Sequence, residues 1–89
     1  MSAHTEHPDV IKRLKRAAGH LNSIIVMLEE DRHCLDIAQQ LQAVESATGN
    51  AKKVLVHYHI DHGLEQAVRD RTQSAEDTIR EFKAITKYL

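Results

Sequence analysis

From Val10 to Leu28 the apolar side chains recur at steps of three and four: Val10, Ile11, Leu14, Ala17, Ala18, Leu21, Ile24, Ile25 and Leu28. That is the 3.6-residue period of an amphipathic α-helix; a half-buried strand would alternate with period two. The rhythm returns in Leu35, Ala38, Leu41, Val44, Ala51, Val54, Leu55 and Tyr58, and again in Ile79, Phe82, Ile85 and Leu89. Three glycines and one proline in 89 residues leave little material for a turn-rich β fold.

Local signals set the expected boundaries. Pro8 suits the first turn of helix one, where its missing N–H costs nothing. That helix should end near Glu29-Glu30-Asp31, with Asp31 as N-cap of the second. The second should run to about His62, with Gly49-Asn50 as a close-packing point inside it, because the apolar stripe resumes in phase. Gly63 either ends this helix or sits in its frayed end. A polar stretch, Arg69 to Gln73, leads to a third helix, where Ser74 and Asp77 approximate a capping box. The expected fold is all-α: a three-helix protomer, an antiparallel helical hairpin plus a short third helix. It forms one domain over residues 1–89, with residues 1–7 as a flexible N-terminal arm. A chain this short buries only about 60% of its unfolded surface, so assembly as a dimer or dimer of dimers is expected.

Several function classes fall away. The longest apolar run, Ile24 to Leu28, is far too short to span a bilayer. The polar, histidine-bearing start of the chain does not read as a secretory leader, so a cytoplasmic protein without membrane contact is expected. The single cysteine, Cys34, cannot form an intramolecular disulfide. There is no phosphate loop, and the HxxH of His59 and His62 lacks the glutamate of zinc-protease helices, so the reading is of a non-enzyme. The net charge of −1 runs against a generic nucleic-acid binder.

Seven histidines accompany that one cysteine. Thiolate with imidazole is borderline-soft coordination, suited to nickel, cobalt, zinc or copper. Cys34 stands near the start of the second helix, and His57, His59 and His62 near its end. His59 and His62, three apart, project from roughly one face. Cys34 and His59 are 25 positions apart (59 − 34). At about 1.5 Å per residue, a continuous helix separates them by roughly 37 Å. Metal–ligand bonds are about 2.0–2.3 Å, so the two share an ion only if Cys34 of one copy meets His59 of another. Each residue also has a plainer role: Cys34 as a small buried hydrophobe, His57 as a solvated side chain, His20 as structural, and His33 as a neighbour of the site or merely exposed. His4 and His7 belong to the arm, which either stays loose or folds over a metal and completes its shell.

Arg13-Leu14-Lys15-Arg16-Ala17-Ala18-Gly19-His20-Leu21, Cys34-Leu35-Asp36-Ile37-Ala38-Gln39-Gln40-Leu41-Gln42-Ala43-Val44 and His57-Tyr58-His59-Ile60-Asp61-His62 resemble the copper-sensitive operon repressor / nickel–cobalt repressor family over nearly the whole chain. The resemblance implies an all-α dimer of dimers whose operator affinity falls when an effector binds between subunits. It implies Cys34 as the cysteine ligand and His59 as the histidine supplied by the partner subunit. The family's next ligand, a cysteine in copper sensors and a histidine in nickel–cobalt sensors, falls at Gly63, which has no donor. His62, or the arm through His4 or His7, is the expected substitute. Loss of the second thiolate disfavours copper(I) and favours nickel or cobalt, with zinc as a further candidate. Some relatives sense formaldehyde through the cysteine and an N-terminal proline; here residue 2 is Ser2. Ser2 counts against that use, but the missing donor at Gly63 keeps an electrophile sensor with Cys34 as nucleophile as the second reading, with a helical interaction module without DNA binding the third.

Lys12, Arg13, Lys15 and Arg16 place four positive charges within five residues, and Lys52 and Lys53 add two more. Alone such a run is usually a solvated helix face. Repeated in an oligomer it becomes a surface able to neutralise several phosphates of operator double-stranded DNA.

Overall fold

The computed structural model describes residues 7–70 and 75–89, with backbone alone for Ala67 and Asp70. Three helices follow in order: α1 (Pro8–Glu29), α2 (Cys34–Asp70) and α3 (Ala75–Thr86), and no strand occurs among the described residues. The all-α reading holds. The chain divides into two compact units, residues 1–51 and 52–89.

In the first unit Pro8 occupies the start of α1, and Asp9 in the first turn complements the positive end of the helix. The helix stops at a backbone motif. Asp31 adopts the left-handed conformation, φ 57°. Its N–H bonds to Leu28 O and that of Arg32 to Met27 O, the 5→2 and 6→1 pair of a Schellman cap. Asp31 therefore closes α1 and does not cap α2 as expected; an aspartate tolerates this backbone better than most side chains. The cap of α2 is His33. Its carbonyl accepts the N–H of Ile37 at 3.2 Å, and its Nδ1 accepts that of Leu35 at 3.3 Å.

The apolar stripes meet in an antiparallel hairpin. Val10, Ala17 and Ile24 are buried on α1, and Ile37, Val44 and Ala51 on α2, each set at seven-residue steps. Seven residues are two turns, so each set forms one seam, as in helices that pack side chain into gap. Ile24, Ile37 and Val44 form the core of this unit, with Met27 packed against them. A ring N–H of His20 donates to Gln40 Oε1 at 2.5 Å, tying α1 to α2 and giving His20 its structural role.

The second helix passes through Gly49-Asn50 without a break, as the phase of the stripe predicts. A Cβ at Gly49 would meet nothing within 4 Å, so no close approach within the protomer demands glycine there. Gly63 neither ends the helix nor frays it: α2 continues for two further turns to Asp70. Ser74, expected as the cap of α3, lies outside the described residues. Asp77 sits in the first turn of α3, with Arg80 paired to it at 3.2 Å.

Much apolar surface stays open. Ile11, Leu14, Leu21, Ile25 and Leu28 of α1 are exposed, as are Leu35, Leu41, Leu55 and Leu64 of α2. The face of α3 expected to be buried is also open at Ile79, Phe82 and Leu89, and only Ile85 is half-buried. Among the described residues no helix is long and apolar enough to cross a membrane.

Candidate metal centre and DNA-facing surface

Cys34 is the first residue of α2, and its thiol is exposed. It is not a small hydrophobe of the core. The His33 cap holds the turn that carries it, because the N–H of Leu35, next in the chain, is bound by the imidazole.

His59 stands on the same helix 25 residues later (59 − 34), and α2 is continuous between them. No group of three or more His, Cys, Asp or Glu that could hold a metal occurs among the described residues.

In the second unit His59 opens on a small cavity between the end of α2 and α3, of about 20 Å³ for a water-sized occupant. Gly63, Thr78, Glu81 and Phe82 share its wall. Space of that order admits about one water or one ion. His62 takes a different direction. Its ring stacks on Tyr58, centroids 5.4 Å apart and planes 9° from parallel, and it lines another hollow with Glu65, Gln66 and Arg69. The i,i+4 spacing brings Tyr58 and His62 together; His59 and His62, three apart and so near one face, nevertheless line different hollows. His57 is exposed. His7 is half-buried at the N-terminal boundary of α1, and His4 lies outside the described residues.

Glu81 of α3 lines the same cavity as His59. It follows His59 by 22 positions (81 − 59) on another helix, and no local spacing signals that the two share a cavity. Glu81 is exposed and enters no ion pair among the described residues.

The basic run lies on the outside of α1. Lys12, Arg13, Lys15 and Arg16 are all exposed, and Lys12, Lys15 and Arg16 line a shallow hollow with Pro8 and Ile11. Arg13 Nε donates to Asp9 Oδ2 at 3.3 Å, which leaves it partly engaged. Lys52 and Lys53 are exposed on α2.

Residues 6–87 match the family model described as metal-sensitive transcriptional repressor. The chain is 44% identical over 80 residues to the copper-sensing transcriptional repressor CsoR of Mycobacterium ulcerans, covering 89% of this chain and 68% of that protein. With the protein of the same name from Bacillus subtilis it shares 34% identity over 84 residues, 92% of this chain and 83% of the relative. With that of Mycobacterium tuberculosis identity is 40% over 60 residues, 67% of this chain and half the length of the relative. No solved structure gives a significant match.

Proposed function

Because the chain belongs to the metal-sensitive transcriptional repressor family, we propose that it binds operator DNA when metal-free and releases it when Cys34 and His59 of two copies close on one transition metal. The observation that carries this reading is the pair itself: an exposed thiol and, on the same unbroken helix, an exposed histidine at the wall of a small cavity. Two copies packed head to tail bring Cys34 of each to His59 of the other, giving two equivalent sites by symmetry. The open apolar faces of α1 and α2 supply surface for such packing.

When bound, the metal supplies a fixed link between the two helices that carry its ligands. The residues of this chain do the rest. The His33 cap keeps the first turn of α2 formed, so that Cys34 is presented in one place. The exposed Lys12, Lys15 and Arg16 of each copy meet phosphates, with Arg13, Lys52 and Lys53 beside them. Drawing Cys34 and His59 together shifts the helices, and with them the spacing of the basic stripes. Linkage fixes the scale: whatever factor metal takes from DNA affinity, DNA takes from metal affinity, typically about 1–3 kcal/mol.

The effector is nickel or cobalt in this reading, with zinc next, although the relatives above carry the name copper-sensing. One thiolate per site, and Gly63 where the resemblance places another donor, make a poor copper(I) site. Titrating each metal into the protein–operator complex tests the proposal. Release by nickel or cobalt, abolished by Cys34→Ala with DNA binding intact, supports it; no release by any metal contradicts it. The exposure of Cys34 also suits a second reading, in which its thiol is the nucleophile for an electrophilic effector such as formaldehyde. That reading predicts release without metal and a covalent mass increase on Cys34.

A further inference from the structure

We infer that the His20–Gln40 hydrogen bond fixes the register of α1 against α2, and that occupancy of the effector site at Cys34 reaches the basic run of α1 through this bond. The inference rests on the function proposed above and names the place where the two helices are coupled.

The apolar seam by itself leaves the register open. Val10, Ala17 and Ile24 on α1 and Ile37, Val44 and Ala51 on α2 are all small or medium aliphatic side chains repeating every seven residues. A displaced pairing sets aliphatic against aliphatic again, and such contact has no preferred direction. A polar residue in a seam of this kind is what specifies register. His20 stands three residues after buried Ala17 and is half-buried, like Met27 three residues after buried Ile24. Gln40 stands three residues after buried Ile37. The two therefore hold the same place in the repeat, flanking the seam, and the His20 ring N–H reaches Gln40 Oε1 at 2.5 Å. A slide of one turn, about 5.4 Å, breaks a bond of that length and takes this partner from a half-buried imidazole.

The bond also lies between the two functional regions. His20 is one turn beyond Arg16 (20 − 16 = 4 residues), and Gln40 follows Cys34 by six residues (40 − 34). Six residues are about 9 Å of helix. Helix shifts of about 1–2 Å are a common form of switching. A shift imposed on α2 at Cys34 is handed to α1 where a directional bond ties the helices. His20 and Gln40 are thus positioning residues that touch neither effector nor DNA.

The test separates coupling from folding. The DNA probe is a duplex that the metal-free protein selects from a random-sequence pool. The quantity measured is the factor by which cobalt(II), nickel(II) or zinc(II) lowers affinity for it. His20→Leu removes the bond and keeps an apolar side chain in the half-buried place, while Gln40→Ala removes it from an exposed one. In both, the urea midpoint, the metal-free DNA affinity and the DNA-free cobalt affinity should stay near those of the parent. The coupling factor should shrink about fivefold or more. His20→Gln, whose amide N–H still donates to Gln40, should keep the factor. In the His20→Leu background Gln40→Ala should change it no further. An unchanged factor in His20→Leu and Gln40→Ala would overturn the inference and leave metal-driven release standing. So would a loss in His20→Gln as large as in His20→Leu, or a Gln40→Ala loss undiminished in the His20→Leu background. Release by none of the three metals in the unsubstituted protein would overturn both readings together.

Discussion

The imidazole of His33 accepts the backbone N–H of Leu35 at 3.3 Å, so the residue before Cys34 caps the helix that Cys34 begins. Capping satisfies one of the free N–H groups of a first turn and is worth about 0.5–2 kcal/mol. His33→Ala should therefore lower the stability of the fold by roughly 1 kcal/mol in urea denaturation, whereas His33→Asn, which caps through its side-chain oxygen, should retain most of it. The same pair should differ in metal affinity, His33→Ala being the weaker, because Cys34 stands on the turn that frays.

Asp31 provides a second handle on this hairpin. Its positive φ closes α1, and a left-handed backbone costs an ordinary L residue about 1–2 kcal/mol. Asp31→Gly should raise the denaturation midpoint, and Asp31→Val should lower it. A midpoint that falls with glycine would mean that the carboxylate contributes more than the backbone conformation costs.

These two residues also show how far the sequence can be read. The 3.6 period announces all three helices, and Pro8 announces the start of α1. Local pattern assigns Asp31 to the wrong helix, because an aspartate at a boundary serves as readily in a left-handed closing turn as in a cap. The extent of α2 beyond Gly63 is hidden for a similar reason. One glycine costs a helix only about 1 kcal/mol, which the packing of a 37-residue helix offsets. Cys34 and His59 stand out as candidate donors because each residue type is distinctive, and both lie on α2, as the apolar period predicts. Glu81 is not legible, since its proximity to His59 arises from the folding of α3 onto the end of α2 and leaves no mark at any local spacing.

Gly49 probes the surface around the protomer. Within one chain a Cβ there meets nothing, so Gly49→Ala should stabilise the protomer by about 0.5–1 kcal/mol through helix propensity alone. Analytical ultracentrifugation should show an unchanged oligomer. Dissociation would reveal that a neighbouring copy approaches the helix at this glycine.

The basic stripe predicts a graded fall in DNA affinity. Lys12→Ala, Lys15→Ala and Arg16→Ala should each weaken operator binding and flatten its salt dependence by about 0.9 for every phosphate no longer neutralised. Arg13→Ala should have the smaller effect, because Asp9 already engages its guanidinium. Fluorescence anisotropy across a salt series measures both quantities. Equal slopes for all variants and the parent would place the DNA-facing surface elsewhere.

The head-to-tail site is tested most directly by mixing two inactive variants. Cys34→Ala and His59→Ala each lack one ligand in every site, and neither alone should give the cobalt–thiolate band. Refolded together in equal amounts, half the dimers are mixed, and each mixed dimer has one complete site of its two. About a quarter of the parent absorbance should return, by the symmetry of a two-site dimer. No recovery, with mixed dimers shown to be present, would mean that Cys34 and His59 do not meet across copies.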